Sequence, residues 1–253
     1  MPAPRFYVEQ PLSAGARVTL PAGVGHHART VLRLRAGDPI VLFNGRGGEY
    51  RARLAQAHDA AGGPLQAEVD AFDPIEREAR LAITLIQALT TSEKVDWVIE
   101  KAVEIGVARV IVAPAARSTA RLDAARRERR LQHWRELAIA ACCQCGRNRL
   151  VDIEAASSLA EALEQAREAH FKWILDPAAP PGLPPAGSER SSTALAIGPE
   201  GGFDPEELQL ASRSGFVPIA LGPRILRTET AGLAAAAAWL ALNGEFSQVE
   251  NVR

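Results

Sequence analysis

Two glycine-proline turns, each placed directly after an apolar run, constrain this chain most. The first is Ile197-Gly-Pro-Glu-Gly-Gly-Phe203, and the second is Leu221-Gly-Pro-Arg-Ile-Leu-Arg-Thr-Glu-Thr230. The apolar runs, Leu195 to Ile197 and Val217 to Leu221, predict sheet strands, and open α/β sheets bind ligands beyond the carboxyl ends of their strands. Because glycine lacks a Cβ, its backbone can approach a ligand closely. The pair predicts a small-molecule site, although glycine and proline also occur in ordinary turns.

The spacing of these glycines disfavours a phosphate site. Neither turn reads G-x-G-x-x-G or G-x-x-x-x-G-K-[ST], and no lysine follows them. A cofactor bound without a phosphate cradle fits better. After the first turn, Asp204-Pro205-Glu206-Glu207 has the residues of a helix start, so the positive end of that helix is predicted just beyond Gly201 and Gly202.

The N-terminal part of the chain reads as short strands joined by turns. Asn44-Gly-Arg-Gly-Gly48 is a strong hairpin signal, and one helix is predicted from His26 to Leu34. We expect a small β-barrel over residues 1–73, followed by a polar, proline-bearing linker. The predicted strands are Arg5 to Glu9, Ala16 to Leu20, Pro39 to Phe43, Glu49 to Ala57 and Leu65 to Phe72.

From residue 79 to 253, strands alternate with helices, which predicts an α/β domain. Leu81 to Leu89 is a nearly continuous apolar run, typical of a strand buried on both faces. Ser92 is expected to cap a helix that ends at Gly106, and residues 176–192 are predicted to form a loop. The other predicted elements are Val110 to Val112, Asp123 to Cys145, Leu159 to Ala169, Trp173 to Leu175 and Thr230 to Asn243.

Charge is unevenly distributed. The net charge of −1 gives no argument for a polyanionic partner, but nine arginines and only three acidic residues lie between Arg117 and Arg149. A basic patch on one element is typical of nucleic-acid binding. Arginine also accounts for most of the 29 basic residues of the chain, so part of this cluster could be ordinary solvated surface.

The sequence gives no sign of a metal site or a membrane segment. Cys142, Cys143 and Cys145 have no distant C-x-x-C partner, so a reduced cluster without metal is expected. The N-terminus lacks a signal-peptide pattern, and the apolar run Ala231 to Leu242 is too short to span a bilayer. A cytoplasmic protein is expected.

Three motifs in order resemble the bacterial 16S ribosomal RNA uracil-N3 methyltransferases (RsmE). They are Ala140-Ala-Cys-Cys-Gln-Cys-Gly-Arg-Asn-Arg149 and the two glycine-proline turns. Glu100-Lys-Ala-Val-Glu-Ile-Gly106 and His26-His27 with Val31-Leu-Arg33 also match. The resemblance covers nearly the whole chain.

The resemblance implies a PUA-like RNA-binding β-barrel over residues 1–73 and a SPOUT methyltransferase domain over residues 79–253. In such domains the C-terminal part of the chain is threaded into a deep trefoil knot. The cofactor would be S-adenosylmethionine, and the substrate would be 16S ribosomal RNA, within the small ribosomal subunit, with uracil 1498 as the family target. A homodimer is also implied, with the alanine-rich final helix at the interface.

The resemblance also implies the site residues. Backbone groups of the turns would surround the adenine and ribose, Leu226 would give apolar cover, and Glu200 would face the ribose hydroxyls or the sulfonium. The expected cofactor-binding set is Leu175, Gly198, Pro199, Glu200, Gly201, Gly202, Leu221, Gly222, Ile225 and Leu226.

Arg227 and Glu229 are the candidate catalytic residues. A cation at Arg227 would favour the uracil anion that develops when N3 loses its proton. The general base would be Glu229 or a water molecule, and a mutual ion pair of the two side chains is the alternative. Arg5, Arg33, Arg117, Arg147, Asn148 and Arg149 are the candidate RNA contacts.

Three other functions stay open at this point. One is a SPOUT methyltransferase that acts on transfer RNA or on a ribose 2′-hydroxyl. Another is a non-catalytic RNA-binding or ribosome-assembly module, which would not bind S-adenosylmethionine. The third is a nucleotide-binding α/β enzyme, which the missing phosphate-binding lysine disfavours.

Overall fold

The fold was obtained as a computed structural model that describes residues 3–55, 63–121, 123–183 and 192–246. Contacts divide the chain into two compact units. One comprises Met1–Glu78 with Cys142–Leu150, and the other comprises Ala79–Ala141 with Val151–Arg253. The predicted mixed α/β fold is confirmed. Division into domains at residues 73 to 79 stays a prediction, and sequence patterns gave no sign that Cys142–Leu150 would group with the N-terminal unit.

The N-terminal unit contains a curled sheet of five strands. Its order is β1-β3-β4-β5-β2, in which only β1 and β3 run parallel. Alternate residues along each strand face an apolar core. Where the sequence predicted a β-barrel, the structure has a curled sheet. The strands are β1 Arg5–Tyr7, β2 Arg17–Thr19, β3 Pro39–Phe43, β4 Glu49–Leu54 and β5 Gln66–Asp73.

The helix of this unit differs from its prediction of His26 to Leu34. Helix α1 spans Ala22–His26 and continues as a π-helical turn over His27–Val31. The segment Ala22–His26 contains two glycines, which lower its helix propensity. A Cβ on Gly25 would lie 3.3 Å from Cβ of Leu65, so this glycine permits close packing. The helix ends early because Arg33 takes a positive φ of 54°.

The C-terminal unit has a six-stranded sheet, ordered β11-β9-β10-β6-β7-β8, in which every pair is parallel. Its central strands are buried on both faces, as the apolar run from Leu81 predicted. Strand β8 was not predicted because it is a short edge strand with two acidic residues among its four. The strands are β6 Ile83–Ala88, β7 Arg109–Ala113, β8 Asp152–Ala155, β9 Phe171–Leu175, β10 Thr193–Ile197 and β11 Val217–Ile219.

Five helices flank this sheet within the described residues. Thr91, not Ser92, occupies the N-cap position of α2, while Gly106 ends the helix with φ 104°, as predicted. Asp204 and Glu207 form the reciprocal capping box expected for α5. The predicted loop at 176–192 is only partly described, because residues 184–191 lie outside the described ranges. The helices are α2 Ser92–Ile105, α3 Ala124–Cys145, α4 Leu159–Gln165, α5 Pro205–Arg213 and α6 Thr228–Leu242.

Small residues let α6 pack closely on the sheet, against β10, β6 and α2. A Cβ on Gly232 would lie 2.8 Å from Cδ1 of Leu85 and 3.0 Å from Cδ1 of Ile197, closer than van der Waals contact allows. Further along α6, the buried indole of Trp239 donates a hydrogen bond to Oγ1 of Thr193 at 2.9 Å. The alanine-rich face therefore packs within the unit itself.

Within the described ranges, no helix has the length and apolar character that a membrane span requires. No cluster of three or more His, Cys, Asp or Glu side chains suited to a metal ion was found among the same residues. Cys142, Cys143 and Cys145 are not joined in disulfides, and Cys142 is buried.

Replacing Gly232 by Val should lower the free energy of unfolding by about 1–3 kcal/mol, because the added carbons overpack the contact between α6 and the sheet. The matched control is Ala238→Val, at an exposed position of the same helix. Urea unfolding monitored by circular dichroism gives both values. Equal stability of the two variants would contradict the close packing of α6.

Candidate functional site

Three neighbouring parallel strands end side by side at one edge of the C-terminal sheet. Leu175 at the end of β9 pairs in register with Ile197 at the end of β10 and with Ile219 at the end of β11. The chain segments that leave these strands therefore begin next to one another. This is the edge at which open α/β sheets bind ligands.

A cavity of about 390 Å³ lies at this edge, and both glycine turns line it. Gly201 is the one residue of the predicted cofactor-binding set that is not on the cavity wall. Its carbonyl oxygen instead accepts a hydrogen bond from Nη1 of Arg117 at 2.7 Å. The predicted residues on the wall are Leu175, Gly198, Pro199, Glu200, Gly202, Leu221, Gly222, Ile225 and Leu226.

The first turn needs glycine for two physical reasons. A Cβ on Gly198 would lie 3.1 Å from the backbone nitrogen of Phe203, so the tight fold of the turn leaves no room for a side chain. Gly202 has φ 67° and donates its N–H to the carbonyl of Pro199 at 2.9 Å. The turn thus exposes backbone to the cavity without a side chain in the way.

The second turn is open and exposed. Gly222 has φ 73°, with no atom within 4 Å of its added Cβ. The side chain of Ile225 is 83% exposed although it is apolar and lies at the cavity. Its apolar side chain is therefore accessible to a ligand in the cavity.

A buried hydroxyl, that of Thr228, joins the two turns. It donates to the carbonyl of Gly198 at 2.6 Å and accepts from Nε2 of Gln87 at 3.0 Å. Sequence patterns did not identify Thr228 or Gln87, because a buried polar pair on separate elements leaves no local signal. The start of α6 is thereby held against the first turn.

Lys94 of α2 also lies on the cavity wall and was not predicted. Its Nζ lies 2.8 Å from Oε1 of Glu200 and 3.4 Å from Oε2 of Glu229. The hydrogen bond from Lys94 lowers the pKa of the Glu200 carboxyl below its ordinary value. One ammonium group therefore contacts a carboxylate from each turn region.

The two candidate catalytic residues differ in exposure. The Arg227 side chain lines the cavity and is 82% exposed, whereas that of Glu229 is 16% exposed and is not on the cavity wall. Nη1 of Arg227 lies 4.0 Å from Oε1 of Glu229. This distance is long for an ion pair, so the arginine is available to a ligand.

Three candidate RNA contacts lie in an internal network of the N-terminal unit. Arg5 is ion-paired with Glu49 and donates to Oδ1 of Asn148 at 2.6 Å. Arg147 is 4% exposed and ion-paired with Glu78. Asn148 is also buried, so this network stabilises the N-terminal unit. Direct RNA contact by Arg5, Arg147 and Asn148 stays a prediction, and the burial of their side chains argues against it.

The other three RNA candidates are exposed. Arg33 lies on the surface after the π-helical turn, and Arg149 is half exposed in an ion pair with Glu76 at 3.0 Å. Arg117, in the C-terminal unit, keeps an exposed side chain while it contacts the first turn. These guanidinium groups remain within reach of solvent and of a phosphate.

Two family descriptions match the chain. Residues 77–240 match an RNA methyltransferase domain, and residues 20–59 match an RNA methyltransferase PUA domain. The ribosomal RNA small subunit methyltransferase E of Mycobacterium bovis is 33% identical, over 93% of this chain and 90% of that relative. The protein of that name from Bacillus subtilis is 27% identical, over 92% of this chain and 94% of that relative.

Two solved structures are also similar to this chain over nearly its whole length. Ribosomal RNA small subunit methyltransferase E from Neisseria gonorrhoeae, bound to S-adenosylmethionine, is 35% identical with a TM-score of 0.86, covering 97% of this chain and 100% of that one. A methyltransferase from Legionella pneumophila, solved with the same cofactor, is 32% identical with a TM-score of 0.88, covering 95% and 98%.

Thr228→Val should lower the free energy of unfolding by about 1–3 kcal/mol, because it removes the hydroxyl that donates to the buried carbonyl of Gly198 and takes one of the two acceptors of Nε2 of Gln87 away. Thr230→Val is the matched control, since Thr230 is exposed two residues further along the same helix. Denaturant unfolding measures both. Equal stabilities would show that the hydroxyl does not hold the turns.

Proposed function

This chain belongs to the RNA methyltransferase family, and we propose that it transfers a methyl group from S-adenosylmethionine to N3 of a uracil in 16S ribosomal RNA. The observation that carries the proposal is that both glycine turns line one and the same cavity. The relatives named as small subunit methyltransferases, and the structural relatives solved with S-adenosylmethionine, support the same reaction.

The cavity suits the proposed cofactor in size and character. Its volume of about 390 Å³ falls within the range of small-molecule pockets. Side-chain-free backbone at Gly198 and Gly202 would approach the adenine and ribose, with Leu175 and Leu226 as apolar cover. Glu200 would face the ribose hydroxyls or the positively charged sulfur.

When bound, S-adenosylmethionine supplies an electrophilic methyl group on a cationic sulfur. The cavity residues would hold the uracil beside that methyl group, and such positioning can lower a barrier by about 7–11 kcal/mol. Arg227 would place its guanidinium near O2 or O4 of the uracil, where negative charge develops as N3 loses its proton. Its exposure beside the cavity supports this role.

We propose Glu229 as the group that accepts the N3 proton, directly or through a water molecule. Its carboxylate lies between two cations, 3.4 Å from Lys94 and 4.0 Å from Arg227. Because Glu229 is not on the cavity wall, we propose that a water molecule carries the proton from uracil N3 to its carboxylate. The uracil must be unpaired, since N3 lies on the Watson–Crick edge.

The substrate is proposed to be 16S ribosomal RNA within the small ribosomal subunit, with uracil 1498 as the target and the cytoplasm as the location. The exposed Arg33, Arg117 and Arg149 would contact phosphates, which position RNA without specifying its sequence. Arg5, Arg147 and Asn148 would support the shape of the N-terminal unit. The match of residues 20–59 to a PUA domain supports RNA binding by this unit.

A trefoil knot and a homodimer belong to the same proposal. Ala220 follows strand β11 and forms two backbone hydrogen bonds with the segment after β9. Its N–H donates to the carbonyl of Pro180, and its carbonyl accepts from the N–H of Gly182. Helix α6 then returns over β10 and β6. These contacts bring the C-terminal segment next to the segment after β9, which the proposed knot requires. The exposed Leu242, the last residue of α6, and the exposed Phe246 shortly after it offer apolar surface to a second copy.

Incubation with S-adenosylmethionine and small subunits that lack the modification should yield 3-methyluridine in 16S ribosomal RNA, detected by nucleoside mass spectrometry. Deproteinised RNA and transfer RNA serve as comparison substrates. A 2′-O-methylated nucleoside, or methyl transfer to transfer RNA alone, would replace the proposed reaction by a related one. Absence of cofactor binding in calorimetry would favour a non-catalytic RNA-binding module.

Arg227→Ala should lower kcat by about 10²–10³-fold, the usual cost of removing one group that stabilises developing negative charge, while S-adenosylmethionine still binds. The control is Arg213→Ala, a surface arginine of α5 that donates a hydrogen bond to Oε1 of Gln209 at 3.4 Å. Single-turnover methyl transfer and calorimetry separate the two effects. Unchanged turnover in Arg227→Ala would remove this residue from the mechanism.

A further inference from the structure

Lys94 lies where ordinary helix energetics disfavour it. It occupies the first turn of α2, and a cation near a helix N-terminus opposes the helix dipole. Its Nζ nevertheless contacts Glu200 of the first glycine turn at 2.8 Å and Glu229 of α6 at 3.4 Å. The partners of Lys94 therefore come from two segments distant from α2 in sequence.

A second lysine of the same helix shows what a local surface pair looks like. Nζ of Lys101 lies 2.7 Å from a carboxylate oxygen of Glu100 and 2.7 Å from one of Glu104, both within α2. Lys101 thus pairs within its own helix, away from the cavity wall. Lys94 has the same two-carboxylate arrangement, but it joins the cofactor cavity to the proposed base.

Lys94 is the nearer of the two cations beside the Glu229 carboxylate. The Oε2 atom of Glu229 is buried and makes no hydrogen bond of regular geometry to a described residue, and Nζ of Lys94 lies 3.4 Å from it. Arg227 lies further away, at 4.0 Å from the other oxygen. An ammonium group has three donors on a flexible stem and can change partners with little backbone movement.

We propose that Lys94 is a positioning residue that couples occupation of the cofactor cavity to the placement of Glu229. In the structure, its ammonium contacts both Glu200 and Glu229. When Glu200 turns to the ribose hydroxyls or the sulfonium, the ammonium pairs with Glu229 alone. Glu229 is then fixed only when a methyl donor is present. This inference rests on the proposed use of S-adenosylmethionine.

The coupling is tested by measuring S-adenosylmethionine binding calorimetrically in Lys94→Met, Glu229→Gln and the double variant. Because Glu229 is not on the cavity wall, it can influence cofactor binding through Lys94 at 3.4 Å or through Arg227 at 4.0 Å, and the double variant isolates the route through Lys94. We expect Glu229→Gln to weaken cofactor binding about fivefold or more when Lys94 is present, the lower end of typical coupling between sites. In the Lys94→Met background, Glu229→Gln should have no further effect.

Methyl transfer at saturating cofactor gives the second readout. Lys94→Met should lower kcat about tenfold or more, with Lys94→Arg restoring part of it, whereas a loss confined to substrate KM would indicate only a binding role. The matched control Lys101→Met removes the same residue type from the same helix and should leave cofactor binding and kcat unchanged.

The outcomes separate this inference from the proposed function. The coupling is overturned if Glu229→Gln leaves cofactor binding unchanged, if its effect persists in Lys94→Met, or if Lys94→Met behaves like Lys101→Met. If the unaltered protein binds S-adenosylmethionine but methylates no RNA, the proposed reaction fails while the binding cycle still decides the role of Lys94. If the unaltered protein does not bind the cofactor, both fail.

Discussion

The candidate site depends on three parallel strands that stop in register at one edge of the sheet. Ladder hydrogen bonds fix where β9, β10 and β11 end, and so they fix where both glycine turns begin. The hydroxyl of Thr228 then ties the second segment to Gly198 of the first. The shared sheet edge and this hydrogen bond together hold the two glycine turns side by side.

Features whose causes are local could be predicted from the sequence. The apolar run of β6, the capping box of α5 and the glycine that ends α2 each follow from a few neighbouring residues. The two turns were identified because their glycines follow apolar strands directly. The start of α1 was missed because two of the five residues in Ala22–His26 are glycines, which have low helix propensity.

The rest of the site depends on tertiary contacts that leave no local pattern. Lys94 and Gln87 precede the glycine turns by about a hundred residues, and only the fold brings them to Glu200 and Thr228. The number of arginines between Arg117 and Arg149 predicts a basic stretch, but it does not show which of them are exposed. Arg147 is buried in an ion pair, whereas Arg117 is exposed.

The N-terminal unit is discontinuous in sequence, because it includes Cys142–Leu150. Asn148 donates to the carbonyl of Ile75 at 2.8 Å, and Arg147 is the ion partner of Glu78. A fragment that stops after Glu78 would lack both partners and would leave a carbonyl and a carboxylate unsatisfied. Cutting the chain once therefore cannot yield this unit intact, and any study of it in isolation requires a polypeptide in which both stretches are rejoined.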